Sequence, residues 1–199
     1  MAECCSPVTF VGLFRNSLYF RGTTPEDAET GYCTDAFRYS KMDTSHLCHI
    51  SENKFLTLNS AGQFEFKSLS MEDLDLPESN ITIRIYNDSS KEKKTGTPVM
   101  LYTNSNGKKM VVCCQDNQVR PEEMQDLQDS ISGNQHPALF YLIKLKERSH
   151  SYMFESTLHQ NSFLALKHED DAFKLVLCTK MDEVDEGIEF RLESPSDSG

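Results

Sequence analysis

The chain has 199 residues, with 31 acidic against 20 basic side chains and a formal charge of −11. That length suits one ordinary domain with an added segment, and it buries a core without disulfide staples. So acidic a balance argues against nucleic acid as the main partner. With no apolar run near the ~18 residues of a membrane helix, no membrane insertion is expected.

Basic residues cluster locally at Lys91, Lys93, Lys94, Lys108, Lys109, Lys144 and Lys146. A mixed surface of this kind suits a charged protein partner, or simply solvated strand edges and loops. The N-terminus lacks a basic n-region, and Arg15 breaks the apolar run VTFVGLF, so synthesis in the cytosol outside the secretory route is expected. An odd number of cysteines, 7, fits that reducing compartment. The glycosylation patterns Asn80-Ile81-Thr82 and Asn87-Asp88-Ser89 are then expected to stay bare.

In chain order, VTFVGLFRNSLYF (8–20) pairs as one or two strands, and RGTTPEDAETG (21–31) has the composition of a linker. Residues 1–35 therefore read as an appended segment joined by an accessible hinge, with the domain at 36–199. Short β-rich runs follow at 46–50, 54–58, 64–69, 81–86, 98–103, 110–114 and 118–120. Five more lie at 138–145, 152–156, 162–167, 173–178 and 188–192, mostly separated by Asn, Gly, Ser and Asp clusters. Within ITIRIY, Ile81, Ile83 and Ile85 share one face, with Thr82 and Arg84 on the other. By the same rule Phe173, Leu175 and Leu177 point one way, as do Ile188, Phe190 and Leu192. PEEMQDLQDSI (121–131) reads as a short helix or a turn, its acids placed where a helix dipole favours them.

About twelve strands imply an all-β fold that closes on itself, because closure removes exposed edges. Three groups of four make a β-trefoil; a jelly roll or sandwich is the alternative.

Catalytic patterns are missing: there is no G-x-S-x-G, no Gly-rich phosphate loop and no H-E-x-x-H. Cys113 and Cys114 are neighbours that point to opposite faces of a strand, which suits core packing rather than a metal. His168 with Glu169 and Asp171 lacks a second His at ligand spacing. No catalytic residue, cofactor or metal is predicted. The absence of Trp weakens a sugar-binding reading, although an intracellular trefoil scaffold or sugar-binding module stays the alternative. A binding module that carries charge on loops of a rigid β scaffold leads.

FES (154–156), FLAL (163–166) and EDDAFKLVL (169–177) resemble the C-terminal third of the interleukin-1 cytokine family. Weaker likeness runs through ITIRIYNDS (81–89), EEM (122–124), ALFYL (138–142) and LYF (18–20). The resemblance implies a β-trefoil with an N-terminal pro-segment, made as a leaderless cytoplasmic precursor and secreted after an inflammatory caspase cuts it. It further implies a monomer that binds primary and accessory receptor chains with immunoglobulin-like ectodomains, and a soluble binding protein. In the family's pattern Asp171 is a receptor-facing acid. His49, which stands where the family tends to Arg, and Met71 and Asp73 are further receptor contacts, with Lys144 a basic contact on another face.

Caspases require Asp before the cut and favour a small residue after it. Tyr32-Cys33-Thr34-Asp35 followed by Ala36 meets that preference, with Asp27-Ala28 a poorer rival. Cleavage there removes five acids and two bases, taking the formal charge from −11 to −8. Asp182-Glu183-Val184-Asp185 matches the sequence favoured by executioner caspases, so Asp185 is a candidate inactivating cut; a solvated acidic loop is the plainer reading.

Overall fold

The computed structural model describes residues 8–14, 17–22, 35–89, 95–146, 150–179 and 186–195. Two compact units divide the chain, Met1–Thr34 and Asp35–Gly199. In the first, β1 (Val8–Phe14) pairs antiparallel with β2 (Ser17–Gly22), as the apolar run at 8–20 suggests.

The second unit is built almost entirely of strands. Six of them close a ring: β3 (Asp35–His49), β6 (Ile81–Asp88), β7 (Thr97–Ser105), β11 (Phe140–Lys144), β12 (Tyr152–Ser156) and β15 (Phe190–Glu193). Each pairs with the next, and β15 returns to β3 with Phe190 opposite His49 and Leu192 opposite Leu47. Three hairpins complete the architecture: β4 (Lys54–Leu58) with β5 (Phe64–Lys67), β8 (Lys108–Gln115) with β9 (Gln118–Glu123), and β13 (Ser162–Glu169) with β14 (Ala172–Thr179). A six-strand barrel with three hairpins is the β-trefoil, and closure leaves no barrel edge unpaired.

Alternation explains the core. Ile81 and Ile83 of β6 join Leu47, Leu56, Phe66, Leu101, Phe140, Phe154 and Phe190 in the main cluster, with half-buried Ile85 packed against it. Leu175 is buried there, with Phe173 and Leu177 packed against it. The other face of β6 is not left to solvent: Tyr86 joins Phe37, Met100, Tyr102, Ile131 and Tyr141 in a second cluster. Ile188 is buried too, but in a 3-10 turn beside a third, smaller cluster, so the last strand starts two residues later than its sequence suggests.

Local sequence sets the turns. Asn106-Gly107 and Asp116-Asn117 each link two strands as two-residue loops with positive φ throughout, the mirror-image turn that matches strand twist. At 121–131, read as a short helix or a turn, no helix forms. Gln118–Glu123 continues as β9 against β8, and Ser130–Ser132 forms a short strand, β10, against β3; pairing overrides a weak helical pattern. The helix lies instead at α1 (Met71–Leu74), where the Ser70 hydroxyl accepts from Asp73 N at 3.2 Å and the Asp73 carboxylate accepts from Ser70 N at 3.0 Å. This reciprocal capping box is what starts so short a helix.

The linker expected at 21–31 lies mostly outside the described residues, and β3 begins at Asp35. Cys48, Cys113 and Cys114 are buried packing residues. Burial pushes the Cys48 thiol up to about 11 and the Cys114 thiol up to about 12, so neither is a ready thiolate at neutral pH.

Candidate functional site: the rim around the acidic turn

Of the expected residues, the strand register places Asp171 in the turn between β13 and β14. Glu169 of β13 faces Ala172 of β14 across the two-residue turn Asp170-Asp171, where Asp170 takes a left-handed backbone with φ of 55°. Asx residues tolerate that conformation better than most, which suits an acid at this position. From Phe173, β14 pairs with Phe66 of β5, and Lys174 with Glu65. Because these strands run antiparallel, the exit of β5 at Lys67 and Ser68 passes the acidic turn and leads directly into α1. Met71, 75 % exposed, and the exposed Asp73 lie on α1, which follows β5 in the chain.

The rim is braced from below. Lys54 at the start of β4 reaches Ser68 Oγ at 3.4 Å and places Nζ 4.5 Å from the Phe173 ring centroid, a cation–π contact. The His168 ring lies against the same Phe173 ring, at 4.7 Å between centroids. A cleft of about 200 Å³ separates α1 from the β4–β5 hairpin, lined by Leu58, Leu69, Leu76 and Asp73.

Charge in the turn is unevenly committed. Lys174 Nζ donates to Glu169 Oε2 at 2.8 Å, and that bond holds the Glu169 carboxyl below its usual range and raises the Lys174 ammonium above its own. Asp171 is exposed and makes no ion pair among the described residues. Pairing Glu169 across the strands therefore stiffens the hairpin and leaves Asp171 as an outward negative charge.

His49 is corrected. It is 2 % exposed, with its ring against Phe66 at 6.1 Å and Phe190 at 5.5 Å, and Nδ1 accepts from Glu52 N at 3.3 Å. On β3 the position points into the barrel, so it offers no surface to a partner and instead supports the rim from beneath. Lys144 is exposed at the end of β11 opposite Tyr152, separated from β3 by β12 and β15, and so belongs to another face. Asp35 and Ala36 open β3, and Asp185 lies outside the described residues. Lys54 and Lys174 were missed in sequence because single lysines on strands carry no signal of their own. Their cross-strand partners lie 14 and 5 residues away.

The fold is a closed β-trefoil whose β13–β14 hairpin carries a charged rim. The family model for Interleukin-1 / 18 matches residues 69–191, and the chain belongs to that cytokine family. It is similar to the dog protein named interleukin-18, 24 % identical over 195 residues that cover 96 % of this chain and 95 % of that one. Mouse interleukin-18 is 29 % identical over 182 residues, covering 89 % and 87 % respectively. Among solved structures, chicken interleukin-1β superposes with a TM-score of 0.59 at 19 % identity, covering 80 % of this chain and all of that one, which supports the fold.

Proposed function

We infer that this chain is a pro-cytokine of the interleukin-18 type, made in the cytoplasm, cut after Asp35 by an inflammatory caspase and active outside the cell. The mature domain binds a primary receptor chain through the rim of Asp171, Met71 and Asp73, and an accessory chain through a second surface. Lys144 lies on another face, where a further basic contact is available. Both receptor chains carry immunoglobulin-like ectodomains, and a soluble binding protein is a further partner. The observation that carries the receptor reading is the commitment of charge in the β13–β14 turn: Glu169 is bound by Lys174 while Asp171 stands outward on a braced hairpin.

Asp171→Ala separates recognition from folding. Removing an exposed turn charge costs the fold within about 0.5 kcal/mol, whereas losing one partner of a buried interfacial charge pair costs about 2–5 kcal/mol of binding. Caspase-treated protein is expected to keep its melting temperature and lose about thirtyfold or more in affinity for the primary receptor ectodomain, read by surface plasmon resonance. Unchanged melting with unchanged affinity removes Asp171 from the interface.

A further inference from the structure

β3 is an inner strand from its first residues. On one side Asp35, Phe37 and Arg38 face Ser132, Ile131 and Ser130 of β10; on the other, Phe37, Arg38 and Tyr39 face Asp88, Asn87 and Tyr86 of β6. Phe37 is fully buried in the second core cluster. A cleft that reads an extended peptide does so along a free strand edge, so the residues just after Asp35 cannot enter one while both neighbours stay docked.

β10 is the neighbour that can leave. It has three residues and one buried side chain, Ile131, and its register with β3 shifts between Ile131 and Ser132, beside the pairing of Asp35. β6 by contrast holds β3 along most of its length. What keeps β10 in place lies just before it, at residues 127–129. Tyr39 N donates to Asp129 O at 2.6 Å, and the Tyr86 hydroxyl donates to Gln128 O at 2.9 Å. Arg84 gathers the rest: its guanidinium forms an ion pair with the Asp129 carboxylate, donates to Leu127 O at 3.5 Å and to the Tyr86 hydroxyl at 3.0 Å, and lies 3.9 Å from the Tyr39 ring centroid. Arg84 thus ties this segment to β6 and to β3 at once.

We propose that residues 124–132 form a latch on maturation, held by the Arg84–Asp129 ion pair, whose opening frees the strand edge that an inflammatory caspase needs. This rests on the reading that the cut falls after Asp35. In that step water adds across the Asp35–Ala36 peptide bond, leaving a carboxylate on Asp35 and a free amine on Ala36. When reclosing outpaces cutting, the rate follows the population of the opened state. The latch therefore sets the rate of activation without touching the scissile residues. The Asp129 side chain is 80 % exposed, so its truncation loosens the latch without opening the core.

The test uses the full-length chain as wild type, Asp129→Ala, Asp129→Asn and Asp35→Ala, each treated with an inflammatory caspase. Product masses and rates are followed, with hydrogen exchange at residues 130–132 and thermal melting measured on the uncut proteins. An ion pair with one exposed partner is worth at most about a fivefold change in an opening equilibrium. Asp129→Ala is expected to exchange faster at 130–132 and to be cut about three- to fivefold faster at an unchanged melting temperature. Asp129→Asn, which keeps an acceptor for Arg84, falls between it and the wild type. Unchanged exchange at 130–132 overturns the proposal, because the ion pair then does not hold the segment. Faster exchange with an unchanged cleavage rate overturns it too, because the segment then does not guard the bond. A product that persists in Asp35→Ala overturns the cleavage site itself, and product mass distinguishes that failure from the other two.

Discussion

Phe190→Ala tests the closure of the barrel. Phe190 is fully buried on the last strand, stacked on Phe66 at 5.9 Å, edge-on to Phe154 at 5.8 Å and to His49 at 5.5 Å. It also sits at the joint where β15 meets both β12, at Tyr152, and β3, at His49. Truncating a buried Phe costs about 3–5 kcal/mol in transfer and cavity terms. A domain's whole margin is about 5–15 kcal/mol. For a domain of this size each kcal/mol moves the midpoint by about 2–4 °C, so a fall of about 6–20 °C is expected. Thermal unfolding followed by circular dichroism measures it, with Met71→Ala as the control because that side chain is 75 % exposed. A fall for Phe190→Ala that matches the control would refute the claim that β15 locks the barrel.

Acid should weaken the fold through His136. Burial lowers its pKa from 6.5, outweighing nearby Glu122, and Nδ1 accepts from Ala138 N at 3.1 Å, a bond that a proton there would end. With the folded pKa below the unfolded one, this contribution is complete above about 6.5 and is lost as pH falls from there through the lower folded pKa. Urea unfolding at pH 7.5 and 5.5 should show a smaller drop for His136→Gln than for the wild type; equal drops contradict the assignment. Gly96→Ala should destabilise by about 1–3 kcal/mol, since Gly96 has φ of 121° and a new Cβ would lie 3.0 Å from Ile143 Cγ1 and 3.1 Å from Leu142 O. A denaturant midpoint unchanged by that substitution would contradict the strain argument.

The barrel was legible in the sequence wherever a strand has one dry face. ITIRIY and FKLVLC alternate cleanly, and the structure places Ile81, Ile83 and Leu175 in the core as read. The first half of β3 was illegible because Phe37 and Tyr39 are followed by a register shift before Lys41, and Lys41 to Thr44 are exposed. A run of polar side chains carries no periodic signal even when its backbone is paired, as this one is with β6. The 121–131 stretch misled because its acids suit a helix start, while the Ser-Met-Glu-Asp capping box at 70–73 was the better helix signal. At the rim, the two-residue acidic turn follows from Asp170-Asp171 between alternating strands. His49 could not be placed from sequence, since one residue of register decides whether a strand residue faces the core or solvent. The Arg84–Asp129 pair spans 45 residues, and no local pattern announces it.

The most direct measurement compares receptor binding by one preparation before and after an inflammatory caspase has acted on it. Intact mass identifies the product, and surface plasmon resonance against the primary receptor ectodomain reads the affinity. The account predicts a single new N-terminus at Ala36 and a gain of binding that appears in step with that product, absent from Asp35→Ala. Binding of the uncut chain as tight as that of the cut one, or a product that begins elsewhere, would contradict it.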